Sequence, residues 1–122
     1  MMNIALIAHD GKKADMVKFV MDNREHLKNH SLHATGTTGQ KVMETGLTNV
    51  TRYNSGPMGG DAEIGTLVAN GKIDMVFFFR DPLGKHPHDP DIATLMRLCD
   101  VWDVPLATNK ATAKILLKYY KD

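Results

Sequence analysis

Residues 3–8 read NIALIA and run directly into His9 and Asp10. An aliphatic run of this length has no face to offer to water, so it reads as a strand covered on both sides, the situation of a parallel sheet between helical layers. Residues 73–79, IDMVFFF, read the same way. Shorter strand candidates lie at 32–35, 50–53 and 105–108, each separated from the next by helical spacing or helical punctuation. Met16, Val17, Val20, Met21 and Leu27 form one apolar stripe, and Ile92, Leu95, Met96, Cys99 and Trp102 form a second. Asp89 and Pro90 fit the N-cap and first turn of that second helix, while Gly46 and Gly71 stand where helices stop. Five strands alternating with five helices imply right-handed crossovers and a three-layer α/β sandwich with a five-stranded parallel sheet. Residues 1–122 read as one domain, a common single-domain length, with no repeat, low-complexity tract or linker.

Ligands of such folds bind beyond the carboxyl ends of the strands, and the polar loops fall there. After strand one come His9 and Asp10, with Lys13 a helical turn later. After strand two comes ATGTTG, residues 34–39, whose glycines permit close backbone approach and whose Thr35, Thr37 and Thr38 offer hydroxyls at a helix entrance. This loop reads as a phosphate cradle, though it does not match the GxxxxGK[ST] pattern despite Lys41. SGPMGGD, residues 55–61, is a second helix entrance with Ser55, Gly56 and the carboxylate of Asp61. RDPLGKHPHDPD, residues 80–91, brings Asp81, His88 and Asp91 onto a proline-stiffened segment.

Each of these groups also has a plainer reading. Thr37, Thr38 or Asp10 caps a helix, Asp61 and Asp91 are first-turn acids favoured by the macrodipole by ~0.3–1 kcal/mol, Asp81 starts a turn and His86 is solvated. The spacing within HPHDPD matches no zinc or calcium pattern. Cys99 and Met16, Met21, Met75 and Met96 read as core, as do Phe77, Phe78 and Phe79.

The composition narrows the partners. With 15 basic and 14 acidic residues the formal charge is +1, without the footprint of a nucleic-acid or membrane-surface binder. One cysteine allows no internal disulfide, the N-terminus lacks a secretion-signal pattern, and the longest apolar run is far short of the ~20 residues of a membrane span. A cytoplasmic protein with a small-molecule partner is expected.

Taken in order, IALIAHDGKK, HATGTTG, SGPMGGD, DPL with PHDPD, and RLCDVWDVPLATNKATA resemble the methylglyoxal synthase family over nearly the whole chain. The resemblance implies a flavodoxin-like or methylglyoxal-synthase-like sandwich, a homohexamer, and a cytoplasmic lyase. Its substrate would be dihydroxyacetone phosphate, its products methylglyoxal and inorganic phosphate, on a bypass of glycolysis, with neither metal nor organic cofactor. It makes Asp61 the base that abstracts a proton beside the carbonyl, with His88, His9 and Asp91 as further catalytic groups. Substrate binding would fall to His9, Lys13, Thr35, Gly36, Thr37, Thr38, Ser55, Gly56 and His88, with Asp10 and Asp81 as supporting acids that orient the histidines. Arg80 departs from the neutral residue expected beside Asp81, and the chain stops soon after Tyr120, where longer members carry a tail. A phosphate-sensing regulatory module shares the fold and the cradle but needs no base. A phosphoacceptor domain would need an aspartate at the end of strand three, where Tyr53 and Asn54 stand.

Overall fold

The two apolar runs pair in the middle of one sheet. In the computed structural model, which describes residues 1–120, β1 (Asn3–Ala8) lies parallel to β4 (Met75–Phe79), with Ile4 opposite Met75 and Ala8 opposite Phe79. On its other side β1 pairs with β2 (Ser31–Ala34), which pairs in turn with β3 (Val50–Arg52), while β5 (Leu106–Ala107) flanks β4. The order is β3-β2-β1-β4-β5 and every pair is parallel, so the five-stranded parallel sheet is as expected. The order differs from the 2-1-3-4-5 of flavodoxin in that β3 lies at the edge outside β2. Its composition suits an edge, because Thr51 and Arg52 are exposed.

Strand alternation sorts the core into two layers. Ile4, Leu6 and Ala8 of β1 and Met75, Phe77 and Phe79 of β4 face α1 (Lys13–Asp22), the single turn α2 (Arg24–Leu27), α3 (Gly36–Met43) and α6 (Lys110–Tyr119). Ala5, Ile7, Val76 and Phe78 face α4 (Gly60–Ala69) and α5 (Asp89–Val101). Both faces are therefore dry, and each fully buried phenylalanine of β4 contributes about 1.5–3 kcal/mol. Helices α4 and α5 meet closely at Gly65, where a Cβ would lie 3.1 Å from Leu98 Cδ1.

Some expected core positions move outward. Met21 is 60% exposed, because it lies about 140° round the helix from Met16, and Phe19 takes its place beside Met16 and Val20. Trp102 is 55% exposed because α5 ends at Val101, so the helical spacing no longer applies to it. Met96 is half-buried against the core. Asp89 and Pro90 are the first two residues of α5, and His88 is its N-cap, one position earlier than the spacing suggests. Gly46 and Gly71 end α3 and α4 with positive φ, 97° and 72°.

Candidate active site

Between β1 and β4 the strand order changes direction, and the crevice beyond their carboxyl ends is the natural ligand site of an open parallel sheet. A cavity of about 380 Å³ lies there. Its walls come from all four polar loops and include His9, Asp10, Lys13, Thr35, Thr37, Thr38, Ser55, Gly56, Asp61 and His88.

One end of the cavity is built of donors. Thr35 is buried and extended, with φ −70° and ψ 157°, and serves as N-cap of α3 without a side-chain capping bond. Its hydroxyl and that of the exposed Thr37 are therefore not consumed by capping, while the Thr38 hydroxyl donates to the Ala8 carbonyl at 3.4 Å. Gly36 lets the second and third loops meet, since a Cβ there would lie 2.8 Å from the Ser55 amide nitrogen. Arg52 ties the loops further, its Nε donating to the Gly36 carbonyl at 2.7 Å. Lys13 Nζ donates to the Ala8 carbonyl at 2.9 Å and to Asp10 Oδ1 at 2.8 Å, which leaves one of its three protons for the cavity. The arrangement of helix amides, hydroxyls and a held ammonium suits a phosphate group.

The other end carries proton-transfer groups. Asp61 is the second residue of α4 and is fully buried. Its place depends on Gly59, left-handed at φ 100°, and on Gly60, where a Cβ would stand 1.9 Å from the Asn54 carbonyl oxygen. His88 Nε2 lies 3.2 Å from Asp61 Oδ2, close enough for charge attraction but without hydrogen-bond alignment, so both carboxyl oxygens lack a hydrogen-bond donor. Burial pushes the Asp61 pKa above the usual aspartate value; His88 opposes this and the nearby charge of Asp91 adds to it.

His9 is buried at the end of β1, and its Nδ1 accepts from the Asp81 amide at 2.9 Å. A neutral ring so held carries its proton on Nε2, which is buried and has no partner. Burial first, then the charges of His86, His88 and Arg80, lower its pKa to about 4 against a partial opposing effect from Asp81.

The acids expected to orient the histidines make other bonds. The Asp10 carboxylate holds Lys13, the Asp81 carboxylate accepts from the Leu83 amide at 3.0 Å, and Asp81 reaches His9 through its main chain. Asp91 acts on Asp61 by charge, and its own amide donates to the His88 carbonyl at 3.0 Å. Neither Asp81 nor Asp91 lines the cavity. His86, which reads as solvated in the sequence, instead stacks on His9 with ring centroids 3.6 Å apart and lines the cavity with Lys85 and Pro87. The one signal for it is its place in HPH, which turns two histidines inward around a proline. Among the described residues, no group of three or more His, Cys, Asp or Glu is disposed to hold a metal ion.

Residues 15–108 match the family model described as MGS-like domain. A methylglyoxal synthase of Acholeplasma laidlawii is 58% identical over 120 residues, 98% of this chain and 98% of the relative. The chain belongs to the methylglyoxal synthase family. A second methylglyoxal synthase, from Lysinibacillus sphaericus, is 60% identical over 96% of this chain and 87% of its own length. The crystal structure of methylglyoxal synthase from Elizabethkingia anophelis NUHP1 superposes with a TM-score of 0.89 at 46% identity, covering 95% of this chain and 76% of that one. The model span begins after His9 and Lys13, whereas the 120-residue match to a full-length methylglyoxal synthase extends over them.

Proposed function

We propose that the protein is a lyase that converts dihydroxyacetone phosphate to methylglyoxal and inorganic phosphate through an enediolate. The observation that carries this reading is the buried Asp61 carboxyl, without a hydrogen-bond donor, in one cavity with a phosphate-type cradle. A carboxylate stripped of water and donors is a stronger base than a solvated one, which suits abstraction of a carbon-bound proton.

In this reading the phosphate sits against the start of α3 and Lys13, which leaves the three-carbon unit beside Asp61, His9 and His88. Asp61 takes a proton from the hydroxymethyl carbon, the C–H electrons become a C=C bond, and the carbonyl π electrons move onto oxygen. The neutral His9 donates a hydrogen bond from Nε2–H to that oxygen and keeps its proton, while His88 carries the hydroxyl proton across to it. Electrons returning from the former hydroxyl oxygen form the aldehyde, shift the double bond and break the C–O bond to phosphate. The resulting enol tautomerises to methylglyoxal. Donors fixed around the phosphate stabilise its growing charge and hold the C–O bond parallel to the π system, so elimination prevails over isomerisation. Asp91 supports the base by keeping the Asp61 pKa high.

The test is turnover of dihydroxyacetone phosphate by purified protein, read as phosphate release with a trapped dicarbonyl, with and without added inorganic phosphate. Folded protein that binds phosphate yet leaves the ester intact points to a sensing module instead. We further propose one domain over 1–122, a cytoplasmic location on a glycolytic bypass, and a homohexamer. Support for assembly comes from exposed apolar side chains such as Val101 (60%), Ile115 (69%) and Tyr119 (80%), and no described helix is long and apolar enough to cross a membrane. A solution mass of six chains is the expected result for the assembly.

A further inference from the structure

The reaction above gives His86 no part, yet its ring lies flat on His9, with centroids 3.6 Å apart and 20° between planes. The Asp81 amide fixes one nitrogen of His9, but a single hydrogen bond leaves the ring free to turn about that contact, and the last torsion of histidine is broad. Phe78 meets His9 edge-on at 5.1 Å and 75°, and His88 does so at 6.1 Å and 83°. Among the described residues His86 is the one aromatic ring stacked on the imidazole face. Its own position is restrained. Pro87 limits the His86 backbone to extended conformations, and Gly84 clears room, since a Cβ there would lie 3.1 Å from His86 Nε2. The stacked pair also forms part of the wall between the active cavity and a second one of about 380 Å³, lined by Arg80, Gly84, Asp89 and Met96.

We infer that His86 is a positioning residue: by covering one face of His9 it holds the imidazole in the plane that turns Nε2–H toward the substrate oxygen. The inference rests on the proposed reaction for its catalytic consequence and on ring geometry for its structural one. A flat side chain is what the role requires, and a ring nitrogen at position 86 is not. Its removal would also join the two cavities and admit water to the back of His9.

The experiment compares wild type, His86→Ala and His86→Phe by steady-state kinetics on dihydroxyacetone phosphate, by inhibition with inorganic phosphate, and by NMR of the histidine ring protons. His86→Ala is expected to lower kcat about tenfold, as a misdirected donor does, while the phosphate inhibition constant moves less than about twofold. His86→Phe is expected to recover most of the loss. In the NMR spectrum, His9 keeps its Nε2–H tautomer in His86→Ala because the Asp81 amide remains, but the proton exchanges with water faster. An unchanged kcat in His86→Ala overturns the inference, and so does a His86→Phe variant as slow as the alanine one. If the wild-type protein does not turn the ester over, the reaction itself fails, and the exchange rate of the His9 proton still decides whether His86 covers that ring.

Discussion

The donor end and the proton-transfer end of the cavity are made in different ways. Thr35, Gly36, Thr37 and Thr38 are consecutive, and with Ser55, Gly56 and Lys13 they work through main-chain amides, hydroxyls and a point charge that a short motif can carry. His9, Asp61, His86 and His88 come from three loops: β1 and β4 pair at the sheet centre and bring the histidines together, and α4 carries Asp61 to them from beyond β3. Grip on the anion is thus centred on one short motif with help from two neighbouring loops, and the chemistry is a property of the topology. Burial acts at the second end in two directions, raising the pKa of Asp61 and lowering that of His9, so that each favours its neutral form.

If the two ends are separable, Asp61→Asn should lower kcat by about 10²–10⁴-fold and leave phosphate inhibition nearly intact. A variant that keeps most of the rate would move the base elsewhere. The same substitution should not lower the melting temperature at neutral pH. Because the folded pKa of Asp61 is above the ordinary 3.8, its contribution to stability is present at lower pH and is lost as pH rises through the folded value. Lys13→Met should weaken phosphate and substrate together by about 10- to 100-fold, the size of a charged hydrogen bond. Unequal changes in the two affinities would tie Lys13 to the reacting carbons instead.

Gly56 stands where the ends meet, since a Cβ there would lie 2.7 Å from His88 Nε2 and 3.3 Å from Asp61 Oδ1. Gly56→Ala should therefore displace His88 and lower kcat about tenfold with a smaller effect on phosphate affinity. Equal losses in both would show the ends to be mechanically coupled. The smallest effects are on pH dependence. The acid limb of kcat/KM should lie above pH 3.8 and move to lower pH in Asp91→Asn, because a like charge beside Asp61 is removed. His9 contributes stability that is present above pH 6.5 and lost as pH falls toward about 4, so denaturant midpoints should decline across that window less steeply in His9→Gln.

Much of this was legible in the chain. The unbroken apolar runs announce a sheet covered on both faces, and glycine-threonine loops after strands announce an anion site. The order of the strands was not legible, since an edge position for β3 follows from which side each crossover takes. For Met21 and Trp102 apolar character does not mean burial, because the helical angle and the helix end decide it. His86 was missed because a histidine between lysine and proline in a loop looks solvated until β1 supplies the ring it lies on. The bonds of Asp10 and Asp81 were hidden for a related reason, as each carboxylate finds a nearby partner in its own segment.

The donor that fixes the His9 tautomer is the main-chain amide of Asp81. Exchange of the Asp81 side chain for another leaves that N–H in place, and only a proline at 81 would delete it. The ring's protonation pattern is thereby insulated from most point mutations, so sequence drift in this loop can retune rate and acidity around a tautomer that hardly any codon change can reverse.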